Sequence, residues 1–347
     1  MINKPEMVGQ GCGITRRAVL LSLPAVAAAC RLQAWRPAGP LRVRGLHQVT
    51  LAVSNLQRSV SFYQSLFGMP VQARHGSSVL LRIGDGPHFM ALTEAGSAPP
   101  RIDHFGMAVE EFDVDRVVES LVGHGVSRAH DGRGLSDHRN NVRVTTRGVT
   151  PEVHMGDPNG LVTQLQDPRY CGGGGALGDD CSLLEPAPAS GSLALRGLSH
   201  LTIDVADPRA TNAFYQRAFG LDVQAFQASS PLLGVGPGVD FLMFINLGRR
   251  ARGDSASARI DHVCLTLEDF DVERIESALQ EHGITPRGIS PRPSNPLRHW
   301  VSLRMPNRGG APEGTPEVYF SDPDGLSIQL QDVSYCGGGG YLGNVCE

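Results

Sequence analysis

The chain is 347 residues long, 41% hydrophobic and 19% charged, which fits two ordinary folded domains rather than a disordered polymer. A formal net charge of −4 with no basic run behind it argues against a nucleic-acid partner. Lysine occurs once, at Lys4, so without its N-terminal segment the chain has no amine for Schiff-base or lysine general-base chemistry.

The first element in chain order is a leader. Thr15-Arg16-Arg17-Ala18-Val19-Leu20-Leu21 runs into a short apolar stretch that ends at Ala27-Ala28-Ala29. The pattern resembles a twin-arginine export signal, so residues 1–34 are expected to be signal and leader, read by the export machinery, with a periplasmic or secreted product. The apolar run is too short for a stable membrane span. Cys30, directly after the alanines, offers a lipid anchor as the alternative.

The rest of the chain repeats itself. Gly45-Leu46-His47-Gln48-Val49-Thr50-Leu51 with Phe62-Tyr63-Gln64 and Phe67-Gly68 matches Gly197-Leu198-Ser199-His200-Leu201-Thr202-Ile203 with Phe214-Tyr215-Gln216 and Phe219-Gly220. Arg101-Ile102-Asp103-His104 matches Arg259-Ile260-Asp261-His262, and Pro151-Glu152-Val153-His154 through Cys171 matches Pro316-Glu317-Val318-Tyr319 through Cys336. Three blocks in the same order mean duplication: one domain over 43–181, a linker over 182–194 rich in proline, alanine and serine, and a second domain over 195–347.

Within each copy, strand and helix periods alternate. Leu201, Ile203 and Val205 alternate with His200, Thr202 and Asp204, the period of a strand with one face on helices. Phe214, Ala218 and Phe219 then recur at helical spacing up to Gly220, and Val263, Leu265 and Leu267 begin the plan again, with a helix from Val272 to His282. Each domain therefore reads as two βαβββ modules in an α+β fold.

Phe-Tyr before a Phe-Gly helix end, and Asp322-Pro323-Asp324-Gly325 before the last strand, resemble the vicinal oxygen chelate superfamily of glyoxalases, extradiol dioxygenases and bleomycin-resistance proteins. The resemblance spans residues 45–167 and 197–332 and implies two modules cupped around a cavity. It also implies metal ligands at His200, His262 and Gln329, holding iron(II) or another divalent ion such as manganese or zinc. The matching positions of the first domain, Gln48, His104 and Gln164, form a degenerate site. Tyr319 takes the place of a tyrosine that orients substrate in the extradiol enzymes, and His154 is its first-domain counterpart.

The third ligand in that family is a carboxylate, and here it is an amide. Asp240 is a candidate to supply the missing charge from a neighbouring strand, and His299 a candidate acid/base. The expected function is an exported dioxygenase of the extradiol type acting on a small, aromatic molecule. The alternatives are a metal-free binding protein and a glyoxalase- or isomerase-type lyase.

Tyr170-Cys171 followed by four glycines and Cys181 repeats as Tyr335-Cys336, four glycines and Cys346. Equal spacing in an oxidising compartment makes Cys171–Cys181 and Cys336–Cys346 the natural disulfides, each pinning a glycine-rich tail. A four-cysteine zinc site lacks the close pair spacing such sites use. Cys264 is left over, two residues past His262, as a small cavity residue without a cationic neighbour.

Overall fold

A computed structural model describes residues 40–129, 139–246, 258–288 and 295–346. The export and lipidation readings, on Arg16, Arg17, Ala29 and Cys30, lie outside these residues. Among the described residues no helix is long and apolar enough to cross a membrane.

The first half runs β1 (Val43–Val53), α1 (Leu56–Phe67), β2 (Val71–His75), β3 (Ser78–Arg82), β4 (Phe89–Glu94), β5 (Arg101–Val109), α2 (Val114–Gly123), β6 (Ser127–Arg128), β7 (Asn141–Arg147), β8 (Thr150–Gly156) and β9 (Val162–Gln166). The second half repeats it. Its first module is β10 (Leu195–Asp204), α3 (Pro208–Phe219), β11 (Val223–Gln227), β12 (Ser230–Gly234) and β13 (Phe241–Ile245). Its second is β14 (Arg259–Leu267), α4 (Val272–Glu281), β15 (Thr285–Pro286), β16 (Arg298–Arg304), β17 (Thr315–Ser321) and β18 (Ser327–Asp332). Each half closes one nine-stranded mixed sheet, in the orders β2-β3-β4-β1-β5-β9-β8-β7-β6 and β11-β12-β13-β10-β14-β18-β17-β16-β15. The second module of each sheet carries one strand beyond the expected βαβββ plan, the two-residue β6 or β15, where the chain leaves its helix.

The helices begin and end where the sequence provides caps. Asn55, Asp113, Asp207 and Asp271 each accept a hydrogen bond from a backbone N–H of the first turn. Gly68 and Gly220 close α1 and α3 in the left-handed region, at φ 67° and 63°.

Two of these helices, α1 and α3, pack against the other half and tie the two together. Phe62 and Phe67 of α1 pack on Phe320 of β17, and the Tyr63 hydroxyl donates to Asp322 at 3.1 Å. Reciprocally, the Tyr215 hydroxyl of α3 lies 3.4 Å from Thr163 of β9, and Asn159 donates to Thr211 at 2.9 Å. The helix-facing residues of both sheets consequently merge into one apolar core, with Leu51, Phe105, Leu201, Ile203 and Val263 fully buried in it. Much of the opposite, concave faces is shielded from water as well. Thr50, Thr202 and His200 point there and are still buried.

The disulfide-closed tails cover those concave faces. Both bonds, Cys171–Cys181 and Cys336–Cys346, are formed. Tyr170 sits against Leu80 and Phe89 in the first cup, Tyr335 against Leu232 and Phe241 in the second. The turns need glycine. A Cβ on Gly173 would stand 1.9 Å from the Asp180 carbonyl oxygen, and one on Gly338 2.1 Å from that of Val345. Replacing Cys336 and Cys346 together by serine is expected to cost about 2–3 kcal/mol of stability by the loop-closure argument. Denaturant unfolding of the oxidised protein beside the double variant measures it.

Asp322 makes a pH prediction. Both of its oxygens are bonded, Oδ1 by the backbone N–H groups of Asp324 and Leu326 at 2.8 Å and Oδ2 by Tyr63. Complete burial nevertheless pushes its carboxyl up to about 6. A folded-state value raised above the unfolded one means that stability is fullest below the unfolded value of about 4 and declines as the pH rises to about 6. Asp322→Asn removes that dependence. The wild type should therefore lose ground to the variant over this window, by at most about 3 kcal/mol, in unfolding curves taken at pH 4, 5, 6 and 7.

Candidate active site

β10, β14 and β18 are adjacent strands, and their register places His200 opposite Cys264 and Cys264 opposite Gln329. His262 lies two positions along β14 from Cys264, on the same concave face. His200, His262 and Gln329 are thus brought together as expected.

His200 is buried against two rings. Phe241 stacks on it at 4.2 Å and 8° between planes, and Tyr335 of the tail at 5.5 Å and 28°. Its Nδ1 is 3.2 Å from the Ser199 hydroxyl and its Nε2 3.1 Å from Gln329 Oε1. Burial, and the neighbouring His262, hold its pKa well below the usual imidazole range, so the ring is neutral. The Gln329 amide nitrogen is buried with no hydrogen-bond partner.

His262 turns its edge to His200 at 5.7 Å and to Tyr319 at 5.3 Å. Its Nδ1 is 3.0 Å from the Asp261 carboxylate, which fixes the proton on Nδ1 and leaves Nε2 as a bare acceptor. Among the described residues Nε2 has no partner, and His262 lines a cleft of about 1350 Å³. Tyr319 and Trp300 line the same cleft, stacked in parallel at 5.3 Å and 5°. His200 and Gln329 are buried and are not among the residues lining it.

A buried ion pair unnoticed in the sequence organises this floor. Arg304 Nε donates to Glu317 Oε1 at 2.8 Å, with both side chains at most 4% exposed. Glu317 also accepts from the Tyr335 hydroxyl at 3.1 Å and the Tyr319 hydroxyl at 3.3 Å, while Arg304 donates to the Gly338 carbonyl at 3.0 Å. Burial and the Glu317 carboxylate push the Tyr319 and Tyr335 hydroxyls well above the ordinary phenol range, so both remain protonated. The signal for this group was in the repeat: Pro151-Glu152 and Tyr170 match Pro316-Glu317 and Tyr335. Arg147, Glu152 and Tyr170 form the same network in the first half, with contacts of 2.8 Å and 3.0 Å.

Two expected participants are elsewhere. His299 alternates with Trp300 on β16, so it points away from the cup, is buried, and faces Glu276 of α4 at 3.3 Å. Asp240 precedes β13 and turns toward the other sheet, where it accepts from the Leu46 backbone N–H at 3.2 Å; Phe241, its neighbour, is the residue in the cup. Period-2 alternation predicts that neighbours face opposite sides, but not which neighbour faces the ligand. Cys264 is fully buried, and burial raises its thiol well above the ordinary range, which argues against a nucleophile.

The first-half cup spends the same positions on itself. Gln48 Nε2 donates to Gln164 Oε1 at 2.5 Å. His104 gives Nδ1 to Asp103 at 2.9 Å, and Nε2 is taken by the Thr50 hydroxyl at 3.1 Å. His154 lies beside His104, at 6.0 Å between ring centres. Neither ring nitrogen of His104 is left without a partner.

A divalent ion fits the second cup on its donor chemistry. An N···O separation of 3.1 Å between His200 and Gln329 suits two adjacent ligands at roughly 2.1 Å from one ion, as well as it suits a hydrogen bond. The Ser199 hydroxyl can accept from Nδ1–H when Nε2 is needed for metal. Two neutral imidazoles and an amide leave the ion's charge uncompensated, because Glu317 is held by Arg304. Among the described residues no three His, Cys, Asp or Glu side chains converge as a metal cluster, so the glutamine is essential to this donor set.

Comparison with known proteins agrees with this architecture. Residues 45–165 match the Glyoxalase/Bleomycin resistance protein/Dioxygenase superfamily. A trivalent organoarsenical cleaving enzyme from Thermomonospora curvata is 31% identical over 115 residues, 33% of this chain and 70% of its own. The glutathione transferase FosA of Serratia marcescens is 27% identical over 136 residues, 38% of this chain and 94% of its own. Among solved structures, the Mn(II)-bound glyoxalase from Novosphingobium aromaticivorans superposes with a TM-score of 0.57 at 16% identity, over 84% of this chain and 82% of that one. A catechol 2,3-dioxygenase superposes with a TM-score of 0.54 at 19% identity, over 86% and 89%.

Proposed function

We propose, since this chain belongs to the Glyoxalase/Bleomycin resistance protein/Dioxygenase superfamily, that its second half is a divalent-metal-dependent enzyme of the extradiol dioxygenase kind acting on a small aromatic molecule. One contrast carries the reading. His262 presents a bare Nε2 to an open cleft, whereas His104, its counterpart, has spent that atom on Thr50. His200, His262 and Gln329 would hold the ion, with iron(II) as the choice suited to oxygen chemistry. The ion would supply Lewis acidity and, if redox-active, electrons.

The chain's own residues do the rest. Asp261 orients His262 through Nδ1, and Ser199 orients His200. The Tyr319 hydroxyl, protonated and donating to Glu317, keeps its oxygen as an acceptor at the edge of the cleft and serves to position a substrate hydroxyl. Tyr335 and Phe241 keep water from the buried side of His200. Export through the twin-arginine route is part of the proposal, and two disulfides in the fold are consistent with an oxidising destination.

A second reading is favoured by one observation, the direct His200–Gln329 contact beside Tyr335 with no ligand carboxylate. It makes the cup a metal-free binding site. Metal content separates the two. Protein purified untagged should contain near-stoichiometric iron, manganese or zinc, and a His200→Ala/His262→Ala double variant that stays folded should contain none. Absence of metal from the folded wild type, even after incubation with iron(II) or manganese(II), would leave the binding protein as the function.

A further inference from the structure

The cleft beside His262 has more positive than negative charge once its internal pairs are accounted for. Arg101, Arg259, Arg287 and Arg308 line it. Arg101 is paired with Asp103, and Arg259 with Asp204 and Asp261. The other lining carboxylates are also committed, Glu317 to Arg304 and Asp324 to Arg58. Among the described residues, neither Arg287 nor Arg308 has a carboxylate partner.

Of these two, Arg287 is the better built. Its guanidinium carbon lies 4.7 Å from the ring centre of Trp300, and Trp300 is in turn stacked on Tyr319, so the planar fork is held against a rigid aromatic wall. Its backbone N–H donates to the His299 carbonyl at 2.8 Å, which anchors it to the sheet. Its Nε is buried and has no hydrogen-bond partner. The rest of the half-buried guanidinium lines the cleft with no carboxylate among the described residues to compensate its permanent charge, and an oxyanion taken into the cleft would do so. Arg308 is exposed at the rim and adds to the potential without a comparable mount.

We infer that Arg287 is a specificity-determining residue, and that the molecule taken into this cleft is an aromatic acid whose carboxylate is received by the Arg287 guanidinium. The aromatic part follows from the His262, Tyr319 and Trp300 walls, the acid from the unpaired fork. This rests on reading the second cup as the substrate site but needs no bound metal.

The test is made on metal-free protein, so that its failure is distinct from failure of the metal reading. In the full chain with Trp35→Phe, Trp300 is the sole tryptophan and reports binding at its own position. Catechol and 3,4-dihydroxybenzoate, which differ by the carboxylate alone, are titrated by fluorescence and by calorimetry. The acid is expected to bind about tenfold tighter or better at low salt. Arg287→Gln should remove that advantage and leave catechol affinity as it was, Arg287→Lys should keep part of it, and Arg308→Gln should reduce it less than Arg287→Gln does. Equal affinity of the two probes, no binding of either, or an advantage that survives Arg287→Gln would overturn the inference. If the acid binds as expected while metal never loads, only the dioxygenase reading falls.

Discussion

Arg304→Ala is expected to lower the unfolding free energy by about 3–5 kcal/mol, the cost of leaving a buried charge without its partner. The side chains of Arg304 and Glu317 are 0% and 4% exposed, and among the described residues no other cation pairs with Glu317. The loss should also loosen the tail, because Arg304 donates to the Gly338 carbonyl and Glu317 holds Tyr335. The first half provides the control. Arg147 and Glu152 make the same 2.8 Å contact but are 26% and 18% exposed, so Arg147→Ala should cost only about 1 kcal/mol, water compensating the remaining carboxylate. Urea unfolding of the two variants side by side gives the comparison. Equal losses would mean that the pairing matters through packing rather than through charge. Replacing both partners, as Arg304→Met with Glu317→Leu, should recover most of the lost stability while still releasing Tyr335 from its hydrogen bond.

Gln329→Glu is expected to raise divalent-metal affinity at least about tenfold, since a carboxylate then compensates part of the ion's charge in the same place. The variant should be less stable than wild type without metal, because the new carboxylate is buried while Arg304, the buried cation of this floor, is already assigned to Glu317. With manganese(II) added the order should reverse, through a larger rise in Tm than the wild type shows. Adding His262→Ala should abolish the gain. An unchanged affinity in Gln329→Glu would show that position 329 does not reach the ion.

Much of this architecture was legible in the sequence because duplication is itself a measurement. A block that occurs twice in one chain, such as Arg-Ile-Asp-His at 101–104 and 259–262, fixes the equivalence of two places before any coordinate is known. His200, His262 and Gln329, which the family resemblance implied as ligands, lie on neighbouring strands, and the repeat identified Gln48, His104 and Gln164 as their counterparts. It also marked the Asp-His pair whose carboxylate orients each imidazole. The same comparison contained Pro-Glu and Tyr-Cys in both halves and thus pointed to the Arg304–Glu317–Tyr335 network, but the arginine partner was not legible. Arg147 lies five residues before its glutamate and Arg304 thirteen, so no common spacing announces them.

His299 and Asp240 show a different limit. Both belong to stretches where a polar residue adjoins an aromatic one, His299 beside Trp300 and Asp240 beside Phe241. Alternation alone suggests that the polar residue faces the site and the aromatic one the core. Here the concave face is itself packed: Phe241 lies on His200 and Trp300 on Tyr319, which sends His299 to the helix layer and Asp240 to the other sheet. A cup whose floor is aromatic inverts the usual hydropathy argument.

The sequence by itself determined the two-copy plan, the ends of α3 and α4 and the disulfide pairs, because these depend on glycine stops, strand period and spacing within one repeat, while the family resemblance supplied the three residues that meet on the second sheet. Only the tertiary structure decided which of those residues reaches solvent. His262 opens onto the cleft while His200, packed on Tyr335, and Gln329 are buried, and among the described residues Arg287 has no carboxylate partner where it lies against Trp300. Those outcomes depend on how a tail, two strands and an edge loop close over one another, and contacts between segments far apart in the chain leave no periodic trace in it.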